Sequence, residues 1–64
     1  MCQISVYVEK DGVEELRFDD VTNLSVDGTD IKVSTLFEGA TEVNDAFISS
    51  IDFMGGKVLL QRNG

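Results

Sequence analysis

The 64-residue sequence contains no histidine, no proline and no tryptophan, and it has a single cysteine. Without histidine the commonest general base is missing, and we predict a protein that is not an enzyme. One cysteine excludes an internal disulfide bond, and a free thiol is typical of a reducing compartment, so we expect a cytoplasmic location. The lack of proline means that charge, closure or a second subunit must protect the edge strands.

Positive charge is also scarce, because Lys and Arg number 5 against 12 Asp and Glu, for a net charge of −7. Nucleic acids and anionic membranes are therefore disfavoured as partners, since proteins bind phosphate backbones mainly through Lys and Arg. No apolar run approaches the roughly 20 residues of a membrane-spanning helix. The first residues do not form a basic stretch followed by an apolar run, as a targeting segment would. A metal cation or a basic protein remains compatible with this charge.

The dominant period of the sequence is two. In "CQISVYVE" the side chains of Cys2, Ile4, Val6 and Val8 share one face of a predicted strand. The same alternation predicts strands in "VEELRF", "VTNLSV", "IKVSTL" and "KVLLQR", with turns at "KDG", "DGTD", "FEGA" and "MGG". We predict an all-β fold, a single domain over residues 1–64. Its expected form is a small SH3- or Sm-like barrel of about six short antiparallel strands.

The segment 44–53 is the hardest to assign. We favour a short strand at Thr41 to Val43 and another at Phe47 to Phe53, with a short helix from Asn44 to Ile51 as the alternative. The aromatic residues are expected in the core, since no basic stripe accompanies them as in a base-stacking surface. They are Tyr7, Phe18, Phe37, Phe47 and Phe53.

The position of Cys2 directly after Met1 suggests a metal site. If the initiator methionine is removed, Cys2 carries a thiol and an α-amine on one residue, and the Gln3 backbone nitrogen completes a compact chelate. Nitrogen and thiolate donors in a plane suit Ni(II) or Cu(II), whereas zinc prefers a tetrahedral set. A two-fold homodimer would supply two sulfurs. The alternative is that Cys2 packs as a small apolar residue at the start of the first strand.

The sequence resembles the CooT family of small nickel-binding proteins, which are associated with maturation of the nickel site of carbon monoxide dehydrogenase. The resemblance covers nearly the whole chain and rests on the Met1-Cys2 start, on "DDVTNLSVDGTDIKVSTLFEG" and on "ISSIDFMGGKVLL". The matching positions are Asp20-Val21, Gly28, Leu36-Phe37, Gly39, Ile48, Ile51 and Asp52.

The resemblance implies a homodimer of small β-barrels with one Ni(II) held between the two Cys2 residues. It implies a metallochaperone that delivers nickel to an enzyme such as carbon monoxide dehydrogenase. Only Cys2 carries over from the family as a metal ligand. The role of the Gln3 backbone nitrogen is our inference from the residues.

Three alternatives to metal carriage remain open. The first is an acidic interaction module that docks a basic protein while Cys2 merely packs. The second is a nucleic-acid-binding barrel, such as an RNA-interaction module, and it would show salt-dependent binding. The third is a thiol sensor that dimerises through a Cys2–Cys2 disulfide bond and would form a reductant-sensitive dimer.

The proposed ligands predict a pH-dependent affinity for Ni(II). The α-amine of Cys2 titrates near ~7.7 and its thiol near ~8.5, and both must lose protons to bind. Binding should therefore tighten as the pH rises from about 6 to about 8.5, across those values. Calorimetric titration with Ni(II) at several pH values measures this. An affinity that stays flat over the range would contradict the amine–thiolate ligand set.

Overall fold

The computed structural model describes residues 3–63, and those residues form seven strands and no helix. The strands are β1 (Ser5–Lys10), β2 (Val13–Phe18), β3 (Val21–Asp27), β4 (Asp30–Thr35), β5 (Gly39–Val43), β6 (Ala46–Asp52) and β7 (Lys57–Arg62). The prediction of an all-β fold is confirmed. The segment that allowed a helix from Asn44 to Ile51 forms the connection between β5 and β6 and most of β6, so the favoured strand prediction is confirmed and the helix alternative is wrong.

The strands are divided between two sheets that do not close into a barrel. One sheet has the order β2-β1-β7-β6 and the other the order β3-β4-β5. The chain passes from one sheet to the other at Asp20 and Asp45, which both have positive φ, 55° and 58°. The predicted closed barrel of about six strands is therefore wrong. At each of these corners the chain leaves one sheet for the other, whereas in a closed barrel the next strand would have continued the same sheet.

Strand β1 pairs with β7 in parallel, with Ser5 opposite Lys57 and Glu9 opposite Gln61. The other strand pairs are antiparallel. The expectation of antiparallel pairing is thus wrong for the two central strands of the four-stranded sheet. The cause is that β3 to β5 form a separate sheet between β2 and β6 in the sequence. When the chain returns to the first sheet, β7 pairs with β1 and runs in the same direction.

The core lies between the two sheets, and its apolar side chains follow the predicted alternation. The buried residues are Val6, Val8, Ile31, Val33, Val43, Ala46, Val58 and Leu60. Phe18, Val21 and Leu24 are half-buried and pack against them. Complete burial of one such Val, Ile or Leu side chain stabilises the fold by about 1.5–3 kcal/mol. Most of these residues lie on β1, β4 and β7, so these three strands supply most of the core.

The prediction that the aromatic residues are core residues is wrong for three of them. Phe37 is 81% exposed, Phe53 is 87% exposed and Phe47 is 48% exposed. Phe37 and Phe53 lie in turns beyond the ends of β4 and β6, where no facing sheet covers them. In β6 an irregularity between Ile48 and Ser50 shifts the register, so Ile48 lies opposite the buried Leu60 while Phe47 lies opposite Gln61.

Candidate functional site

Cys2, the residue predicted to bind metal, lies outside the described residues. Gln3 is the first residue described, and it is exposed.

Both sheets fix the backbone directly after Gln3. The Ser5 backbone N–H donates to the Gly56 carbonyl at 2.8 Å, which continues the β1–β7 pairing toward the chain start. The Val21 backbone N–H donates to the Ile4 carbonyl at 2.9 Å, which ties the same segment to the three-stranded sheet. Hydrogen bonds to both sheets therefore fix the backbone at Ile4 and Ser5, directly after Gln3.

Two properties of Gly56 allow the β6–β7 turn to lie against the backbone of Gln3. Its φ is +67°, a conformation that side-chain-bearing residues rarely adopt. A Cβ atom placed on Gly56 would also lie only 2.7 Å from the Gln3 carbonyl oxygen. The backbone of the β6–β7 turn can therefore approach Gln3 closely because residue 56 has no side chain.

The start of β1 shares one end of the molecule with three turns. The chain direction places the β2–β3, β4–β5 and β6–β7 turns at this end, and the Leu36 N–H donates to the Asp20 carbonyl at 3.0 Å. We call this region the loop end. It comprises Gln3–Ile4, Asp19–Asp20, Leu36–Glu38 and Phe53–Gly56.

The loop end carries the four most exposed large apolar side chains of the described chain. They are Met54 (98%), Phe53 (87%), Phe37 (81%) and Leu36 (66%). Sequence reasoning missed this feature because alternation says nothing about residues in turns. The available signal was the position of these apolar residues beside Gly39, Gly55 and Gly56, which marked them as turn residues.

An apolar groove of about 240 Å³ lies beside the start of β1. We call it the Ile4 groove. It is lined by Ile4, Ile51, Asp52, Phe53, Gly56, Lys57 and Val58. Asp52 and Lys57 lie directly opposite each other on β6 and β7, so the groove has one charge of each sign. The Asp52 carboxylate also accepts the backbone N–H groups of Met54 and Gly55, at 3.1 and 3.0 Å, and thereby fixes the turn that carries Phe53.

The electrostatics of the loop end are dominated by carboxylates. Asp19 accepts a hydrogen bond from the Arg17 Nε at 3.2 Å, and this bond raises the pKa of Arg17 above its ordinary value. Among residues 3–63 no group of three or more His, Cys, Asp or Glu side chains is arranged to hold a metal ion.

The fold and the loop end define a small two-sheet β-protein in which the start of β1 lies among turns with exposed apolar side chains. The chain belongs to the CooT family, because the family model described as CO dehydrogenase accessory protein CooT matches residues 1–61. The resemblance inferred from the sequence is confirmed. Membership of this family implies a role as an accessory protein of CO dehydrogenase, a nickel enzyme.

A comparison with curated proteins gave no significant match. Within residues 3–63 there is also no helix with the length and apolar character needed to cross a membrane.

Replacing Gly56 with alanine should displace the backbone at Gln3. The new Cβ would meet the Gln3 carbonyl oxygen, so we expect the free energy of unfolding to fall by about 1–3 kcal/mol beyond the cost of positive φ alone. Gly12→Ala is the matched control, because Gly12 has φ +79° but no atom within 4 Å of its added Cβ. Urea unfolding of both variants measures the difference. Equal losses of stability would contradict the close contact between Gly56 and Gln3.

Proposed function

We propose that this protein carries Ni(II) for CO dehydrogenase as a homodimer, with one ion bound between the Cys2 residues of the two subunits. The observation that carries the proposal is the anchoring of the residue next to Cys2. The Gln3 carbonyl oxygen lies against Gly56, and the next residue, Ile4, lines an exposed apolar groove. Family membership supports the choice of metal, since the family assists a nickel enzyme.

The chemistry of the proposed ligands explains why two chains are needed. One chain has a single cysteine and no histidine, so it offers one thiolate and otherwise nitrogen from its own backbone and terminus. A two-fold axis through the chain starts would bring together two Cys2 thiolates with amine or amide nitrogens of Cys2 and Gln3. Such a nitrogen–thiolate set in a plane is suited to Ni(II).

The Ile4 groove supports a contact between two copies. Ile4 is 40% exposed and Ile51 is 46% exposed, and both lie next to the almost fully exposed Phe53. Burying such a patch would add hydrophobic stabilisation to a domain whose small size limits its own core. Because the groove carries one Asp and one Lys, a second copy would meet no net like charge there.

A site made from chain ends is also suited to release of the metal. An open planar site allows an acceptor ligand to approach the ion and replace the Cys2 donors one at a time, whereas a closed four-cysteine site surrounds it. The protein would then act by ligand exchange with the immature enzyme and catalyse no reaction itself. This mechanism is that of a metallochaperone.

Native mass spectrometry of the untagged protein tests the metal site. We expect removal of Met1 and one Ni(II) per dimer in the unaltered protein, and loss of nickel in Cys2→Ser because the thiolate ligand is gone. The serine variant should keep the same strands by circular dichroism. No nickel uptake by a protein whose Cys2 is shown to be reduced would contradict the proposal. The chain would then be better described as a protein-interaction module.

Replacing Phe53 with aspartate tests the proposed dimer contact. Because the change places a charge in the Ile4 groove, we expect the dimer dissociation constant to rise by at least about tenfold. Phe37→Asp is the matched control, since it makes the same change in another turn of the loop end and should leave the dimer intact. Sedimentation velocity measures both. If the two variants dimerise equally well, the Ile4 groove is not the contact.

A further inference from the structure

A second apolar surface lies at the loop end, outside the Ile4 groove. The turn between β4 and β5 exposes Leu36 by 66% and Phe37 by 81%. Neither residue has a role in the core or in the proposed nickel site. Exposed aromatic side chains of this kind are typical anchors of protein–protein interfaces.

The turn that presents Phe37 is held by hydrogen bonds on both sides. The Leu36 N–H donates to the Asp20 carbonyl at 3.0 Å, and the Glu38 N–H donates to the Thr35 hydroxyl at 3.0 Å. Gly39, with φ +75°, then returns the chain into β5. Because the backbone of this turn is already ordered, little additional conformational entropy is lost when a partner buries Phe37.

A cleft of about 220 Å³ lies next to Phe37. It is lined by Arg17, Phe18, Asp19, Asp20, Thr35, Phe37 and Glu38. Arg17 is paired with Asp19 at 3.2 Å, so the carboxylates of Asp20 and Glu38 leave the cleft with a net negative charge. A Lys or Arg side chain entering it would meet two aromatic rings and carboxylate acceptors, which are the groups that cations prefer.

We propose that Leu36, Phe37 and this cleft form a docking surface for a protein partner that presents an apolar pocket rimmed by Lys or Arg. We call it the Phe37 surface. If the proposed function is correct, the partner is the CO dehydrogenase that receives the nickel, and the identity of the partner rests on that function. The Phe37 surface shares the loop end with Gln3, the residue next to the proposed ligand Cys2, so docking would bring the carried ion toward the acceptor.

Charge complementarity favours this occupant over three others. A second copy of the chain in a two-fold contact would place the same excess of carboxylates against itself. Nucleic acids and anionic membranes would be repelled by the net charge of −7. The Ile4 groove, in contrast, carries balanced charges. The two apolar surfaces of the loop end therefore suit different partners.

The test measures binding of the nickel-loaded dimer to purified, nickel-free CO dehydrogenase by biolayer interferometry. Phe37→Ser should weaken binding by at least about tenfold, because it removes the anchor. Val13→Ser is the matched control, since Val13 is 65% exposed but lies at the opposite end of β2, and it should bind like the unaltered protein. Sedimentation velocity of Phe37→Ser should show an intact dimer.

A charge series tests the acidic rim. Asp20→Asn with Glu38→Gln should weaken binding several-fold and flatten its dependence on salt, because two attractive charges are lost. The control is Asp11→Asn with Asp27→Asn, which removes the same charge at the opposite end of the molecule. Asp11 also matches Asp20 in backbone conformation, with φ values of 54° and 55°.

The outcomes separate this inference from the nickel proposal. If the protein binds nickel but CO dehydrogenase does not bind it, or binds Phe37→Ser and Val13→Ser equally well, the docking surface is refuted and nickel carriage stands. If Phe37→Ser loses both enzyme binding and the dimer, the Phe37 surface is a contact between copies and the inference is also refuted. If nickel uptake fails while Phe37 still controls enzyme binding, the docking surface stands without metal carriage.

Discussion

Strands β1 and β7 pair in parallel at the centre of the four-stranded sheet, and much of the molecule depends on this contact. Through it the first and last strands bury Val6, Val8, Val58 and Leu60 against the second sheet. The pairing continues beyond the strands, where Ser5 donates to Gly56 and the backbone of the β6–β7 turn lies against Gln3. The contact that holds the core together therefore also positions the chain directly after Cys2.

The two ends of the sandwich differ in chemistry as a consequence of chain direction. Because β1 and β7 run the same way, the start of β1 lies beside the β2–β3, β4–β5 and β6–β7 turns. Two of these turns contain the most exposed apolar side chains, Phe53 with Met54 and Leu36 with Phe37. The balanced charges of the Ile4 groove and the acidic rim of the Phe37 surface distinguish two apolar surfaces in a very small protein. In the proposed function one surface serves the dimer and the other the acceptor.

Alternation in the sequence predicted much of the fold, for a clear physical reason. In a half-buried strand successive side chains point to opposite faces, so the core positions of β1, β4 and β7 could be recognised without a structure. The register shift in β6 broke this rule, because Ile48 lies opposite Leu60 before the shift and Ile51 lies opposite Val58 after it, so no single alternation runs through the strand. The corners at Asp20 and Asp45 gave no sign that the chain changes sheet there, since an Asp with positive φ also occurs within the β1–β2 hairpin, at Asp11. The sequence therefore indicated strands, but not their division between two open sheets.

The sequence by itself determined the all-β class, the alternating core and the one cysteine beside Met1, because these depend on residue type and local spacing. It also identified Cys2 as the candidate metal ligand, through the chemistry of a thiol at the chain start. Only the tertiary structure decided that Gly56 lies against Gln3 and that Phe37 and Phe53 are both exposed at the loop end. These features depend on contacts between segments far apart in the chain, and local periodicity carries no information about such contacts.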